Sequence, residues 1–154
     1  MEPNLVNEIH QVVSGESLKN ALDFAEYLKA SDMVYTGVHN EVHYKGKCAC
    51  YIYINTKYEV HSPWSVWTEG SYTGERADVP MNGRMKEIAW ASTWHCLKCG
   101  NKCSPGHRET IFGREFDNLC NAFMMFRDPG GETLECVKKL VEMRKRDIDD
   151  MGKE

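Results

Sequence analysis

The chain has 154 residues, 42% of them hydrophobic and 27% charged, so a single domain over 1–154 is expected, burying roughly two thirds of the extended chain's surface in one core. No stretch approaches the ~18 consecutive apolar residues of a membrane span, and the N-terminus shows no basic segment leading into an apolar run, which points to the cytoplasm. A formal charge of -4 argues against a protein built mainly to grip nucleic acid, because phosphate binding draws on clustered positive charge.

In chain order, Leu5, Ile9 and Val12 recur at helical spacing and suggest a short first helix interrupted at Gly15. Leu18, Ala21, Leu22, Ala25 and Leu28 then form the apolar stripe of an amphipathic helix, with Ser14 or Ser17 as its N-cap. From Met33 to Glu69 the texture becomes β-branched and aromatic, punctuated by Gly37, His39-Asn40 and Lys45-Gly46, which predicts an antiparallel meander. Within Lys47 to Ile54, alternation assigns Cys48, Cys50, Ile52 and Ile54 to one face and Ala49, Tyr51 and Tyr53 to the other. A further strand is expected from Trp64 to Thr68.

Residues 71–79 are polar and read as a surface loop. Met81, Met85, Ile88 and Ala89 supply the stripe of a middle helix beginning near Pro80 and stopping around Trp94. A cysteine-rich knuckle follows and ends near Gly106. Between Ile111 and Phe126 one or two strands are expected, Cys120 to Phe126 being the better defined. Asp128-Pro129 then has the form of a helix start, a carboxylate cap ahead of a proline. Leu134, Val137, Val141 and Ile148, with Cys136 and Leu140, give the last helix its buried side.

The cysteines carry the most chemistry. There are seven, an odd number in a compartment expected to be reducing, where disulfides do not normally persist. Cys96-Leu97-Lys98-Cys99-Gly100-Asn101-Lys102-Cys103 places three thiols within one turn-forming segment, and Cys120 follows. A structural zinc ion explains this spacing, with Gly100 freeing the turn and Lys98 and Lys102 offsetting the charge of four thiolates. Cys120 is favoured as fourth ligand because it would tie the knuckle to a strand, while His95 and His107 are alternatives. Four unligated buried thiols are the plainer reading. A redox dithiol is disfavoured by helix polarity, since the helix is expected to precede the cysteines and so present its negative end to them. Cys48, Cys50 and Cys136 are read as core residues.

Tyr51, Tyr53, Trp67 and Trp90 suggest an aromatic ligand pocket on one sheet face, with ordinary core packing as the alternative. Lys98, Lys102, Arg108 and Arg114 form either a solvated basic loop or a local anion site. No Ser-His-Asp order, phosphate-binding glycine loop or metalloprotease HExxH pattern is present, and no catalytic residue is assigned.

The segment from Cys96 through Ile111-Phe112-Gly113-Arg114-Glu115-Phe116-Asp117 to Cys120, followed by Glu132-Thr133-Leu134-Glu135-Cys136, resembles a family of uncharacterised small bacterial proteins. Tyr44-Lys45-Gly46-Lys47 more loosely resembles the strand entry of the YdhG-like and YjbR-like α+β folds, which implies a sheet flanked by helices and functions in iron handling or DNA binding. The expectation is therefore an α+β fold: an antiparallel sheet of about five strands packed on N-terminal, middle and C-terminal helices, with a zinc knuckle at 95–120 after the middle helix. The expected function is non-enzymatic binding of a small molecule or protein. Thiol redox or iron and zinc delivery, and nucleic-acid regulation, stand as alternatives.

Overall fold

The computed structural model describes residues 4–54, 63–68, 76–95 and 106–152, leaving aside the side chains of residues 120–123. Within them, four helices and seven strands follow the order α1 (Leu5–Val12), α2 (Gly15–Ala30), β1 (Val34–Tyr35), β2 (Glu41–Tyr44), β3 (Lys47–Ile54), β4 (Trp64–Thr68), α3 (Gly83–Ala91), β5 (Thr93–His95), β6 (His107–Ile111), β7 (Arg114–Arg127) and α4 (Gly131–Met151). Every strand pairing is antiparallel, in the order β1-β2-β3-β4-β7-β5 with β6 beside β7. The α+β class is as expected, whereas the sheet is larger than about five strands. The additional strands, β5 and β6, flank the cysteine segment; β5 has only three residues, and β6, His107-Arg108-Glu109-Thr110-Ile111, has a single apolar residue, so neither shows an apolar alternation.

The turn chemistry of the first half matches the residues that suggested it. Gly37, His39, Asn40, Lys45 and Gly46 all adopt positive φ, and Lys45-Gly46 closes a two-residue hairpin between the paired Tyr44 and Lys47. Val42 pairs with Cys50 but His43 pairs with Cys48, so a bulge at Ala49 interrupts the simple alternation expected along β3.

One sheet face is covered by helices. Cys50 and Val42 pair on it, as do Ile52, Val66 and Phe126 in a row across β3, β4 and β7, and all five are 0–2% exposed. Trp64, on the same face, is fully buried with its ring 6.0 Å from that of Phe24 on α2. Helix α4 lies against β3 and β4 and also touches α2 and α3. The stripe assigned to it, Leu134, Cys136, Val137, Leu140, Val141 and Ile148, is buried.

Two helix starts depart from expectation. Asp128 does not cap α4, whose N-cap is Gly130 with no side-chain bond. Its carboxylate instead accepts from Trp64 Nε1 at 3.1 Å and from the Ser17 hydroxyl at 3.0 Å, and its amide donates to Trp64 O at 2.8 Å. One aspartate therefore joins α2, β4 and the entry to α4. The middle helix starts at Gly83, where Asn82 accepts from the Met85 amide at 2.8 Å, and it ends at Ala91 rather than Trp94. The Ser92 and Thr93 hydroxyls turn back to Ile88 O and Trp90 O, which closes the helix and releases Thr93–His95 to form β5. Among the described residues, no helix is long and apolar enough to cross a membrane.

Candidate metal centre and aromatic face

Cys96, Cys99 and Cys103 lie outside the described residues, as do Lys98 and Lys102, and the side chain of Cys120 is likewise outside them. The backbone on either side of that segment is described. His95, the last residue of β5, pairs with Leu119, and His107, the first of β6, also pairs with Leu119. A strand residue has one antiparallel partner on each edge, so β5 and β6 flank β7 at the same level, and antiparallel partners are about 4.5–5.5 Å apart between Cα atoms. β5 ends at His95, the residue before Cys96, β6 begins at His107, and the residue after Leu119 is Cys120.

The start of β6 lies in a close backbone approach to β7. A Cβ built at Gly106 would stand 2.8 Å from both Cα and the carbonyl carbon of Asn118 and would overlap its Oδ1. Asn118 itself has φ 58°, a left-handed conformation that asparagine adopts more readily than most residues. Gly106 and Asn118 thus bring β6 against β7 two residues ahead of Cys120, a role the sequence reading did not assign to either. Their residue types, glycine after Pro105 and asparagine inside a strand, were the available signal.

Of the histidines weighed as ligands, His95 is exposed, and His107 Nε2 lies 3.8 Å from Glu109 Oε1. The basic stretch is partly committed to internal contacts. Arg108 Nε is 2.9 Å from Glu115, and the Arg114 guanidinium lies over the rings of Trp90 and Phe116 at 5.6 and 5.3 Å. No family model matches the chain, and no curated protein or solved structure matches it. Any functional reading therefore rests on the chain's own residues. Because β5 intervenes between α3 and the cysteines, the helix-polarity argument against a reactive dithiol no longer applies.

Of the remaining cysteines, Cys50 and Cys136 occupy the interior. Cys50 is fully buried and Cys136 is buried with its thiol 3.4 Å from Met85 O. Burial pushes the Cys136 thiol up to about 12, and burial followed by the neighbouring Cys48 raises that of Cys50. Both are held as unreactive thiols. Cys48 is half-buried, with Sγ 3.6 Å from Cys50 O.

On the face opposite the helices, Glu41, Tyr51, Trp67 and Met125 form a cross-strand row, and Tyr53 pairs with Ser65 in the next one. The Tyr53 and Trp67 rings meet edge-on at 6.4 Å, and burial raises the Tyr53 hydroxyl pKa. The structure therefore places Tyr51, Tyr53 and Trp67 on one face. Trp90 is held elsewhere, on α3, where its Nε1 donates to Ile111 O at 2.7 Å. The tryptophan that meets Trp67 is Trp94 of β5, at 5.4 Å and 65° between ring planes. The Glu41 carboxylate is 3.8 Å from His43 Nε2. Among the described residues, no three His, Cys, Asp or Glu side chains form a metal-binding group.

Proposed function

We propose that this chain is a non-enzymatic cytoplasmic binding module whose fold is tied by one structural zinc ion on Cys96, Cys99, Cys103 and Cys120, and whose aromatic face, Tyr51, Tyr53 and Trp67 joined by Trp94, receives a small ligand or a protein. The observation that carries the metal reading is the register of β5 and β6. His95 and His107, the described residues on either side of the cysteine segment, both pair with Leu119, one residue from Cys120, which supports a metal shared between thiols that are distant in sequence. Zinc suits that donor set because four thiolates complete a tetrahedral shell and leave no open position for catalysis.

The aromatic surface, with Glu41 at the end of its cross-strand row, offers mainly ring faces and edges, which supports a binding role. The engagement of Arg108 with Glu115 and of Arg114 with Trp90 and Phe116 speaks against phosphate recognition by these two arginines. Thiol exchange or metal delivery is the second reading, favoured by the short strand that separates the cysteines from the helix end. Native-state alkylation separates the two. A structural site leaves Cys96 and Cys99 slow to react until the metal is chelated, whereas rapid labelling of either thiol in the native protein would replace the structural assignment with an exchange or delivery role.

A further inference from the structure

The chain approaches α3 through residues 76–81, which cross the C-terminal half of α4. Two features of this crossing combine. Its apolar contact is incompletely filled: Val79 is 3% exposed, yet a solvent-open groove of about 310 Å³ lies between the segment and α4, lined by Arg76, Ala77, Val79, Pro80, Met81 and Met143. Apolar atoms bordering such a groove lack the dispersion contacts that close packing against α4 would give them. The ionic contact, by contrast, is dense. Arg76 reaches Asp147 at 2.6 Å and Asp150 at 2.8 Å on α4, and Asp78 on its own segment at 2.9 Å. Arg146 of α4 approaches Asp78 from the other side at 3.7 Å.

We propose that residues 76–81 form a strap latched electrostatically to α4 through Arg76, which opens as a local unit while the sheet and α4 stay folded. The strap's own turn is closed by the Val79 amide donating to Arg76 O at 3.2 Å, so that amide reports the opening. The ion pairs are partly solvated, with Arg76 22% and Asp150 53% exposed, and are therefore open to screening by salt. A packed apolar contact is not weakened in this way. Opening widens this groove and uncovers Val79 and Met143.

Hydrogen exchange of the intact protein tests this, with the Val79 amide followed against those of Leu140 and Val141 in α4. Raising ionic strength from about 0.01 M to about 1 M shortens the screening length from about 30 Å to about 3 Å. The expected result is that Val79 exchange accelerates at least about fivefold relative to the α4 amides. Arg76→Gln should accelerate it at low salt and remove the salt response. Asp147→Asn, which keeps two of the three carboxylates on Arg76, should give a smaller change of the same sign and serves if Arg76→Gln fails to fold. Val79 exchanging in step with Leu140 and Val141 at both salt concentrations would overturn the strap, as would a full salt response retained in either variant.

Discussion

Replacing Gly106 by alanine adds a methyl group where the backbone of Asn118 already stands, 2.8 Å from two of its main-chain atoms. Gly106 does not adopt positive φ, so the cost is steric rather than conformational. A flexible side chain could swing aside, but main-chain atoms of a paired strand cannot, and relief requires β6 to separate from β7 near Leu119. Overpacking of this kind costs about 1–3 kcal/mol. Urea unfolding should show Gly106→Ala losing that much stability, and competition with a chromophoric chelator should show weaker zinc retention, because the displaced strand carries one end of the cysteine segment. Gly113→Ala is the comparison, since Gly113 has φ 86° and nothing within 4 Å of an added Cβ. It should lose stability through backbone strain while keeping its metal. Stability of Gly106→Ala within about 0.5 kcal/mol of the parent, the usual range for inconsequential surface changes, would refute the close approach and the anchoring argued from it.

Gly83→Ala should stabilise the protein by about 0.4–1 kcal/mol, because Gly83 opens α3 with ordinary φ and no atom within 4 Å of the added methyl; the urea midpoint checks it. Asp128→Ala should cost about 2–4 kcal/mol in the same assay, since it leaves the buried Trp64 indole without its acceptor, frees Ser17 and places alanine at φ 47°. Asp128→Asn, which keeps an acceptor and tolerates that backbone, should lose clearly less. The Asp149 carboxyl is held below its ordinary range chiefly by the Lys45 ammonium and then by the Tyr44 hydroxyl, so the unfolded chain takes up this proton at higher pH than the folded one. Its stabilising contribution is complete above the ordinary carboxylate range and is lost as pH falls through the depressed value. Asp149→Asn should accordingly flatten the acid limb of stability against pH, measured by urea midpoints, and an unchanged limb would remove Asp149 from that account.

Much of the architecture was legible because periodicity and turn chemistry are local. Leu134 through Ile148 repeat at helical spacing over a long span and are buried as that spacing requires. His39-Asn40 and Lys45-Gly46 carry turn preferences that their backbone conformations match. What escaped was set by contacts distant in sequence. Asp128 has the composition of a helix cap, yet Trp64 and Ser17, 64 and 111 residues away, offer it hydrogen bonds. β5 has three residues and takes its structure from β7, so no pattern within it could reveal a strand. The aromatic group was read from residue type, which gathered Tyr51, Tyr53 and Trp67. Choosing between Trp90 and Trp94 depended on where α3 stops, decided by the hydroxyls of Ser92 and Thr93. Phe112 sits at φ 48° in the β6–β7 turn while only 4% exposed. Burial of its ring offsets a backbone conformation that the residue type does not favour.

Metal content of the purified protein, measured by mass spectrometry beside unfolding curves with and without chelator, reaches the central claim most directly. The account predicts one zinc ion per chain, held in the parent and lost in both Cys96→Ser and Cys120→Ser, with chelation abolishing the cooperative transition. A metal-free parent that unfolds cooperatively at the same urea concentration in the presence of chelator would contradict it.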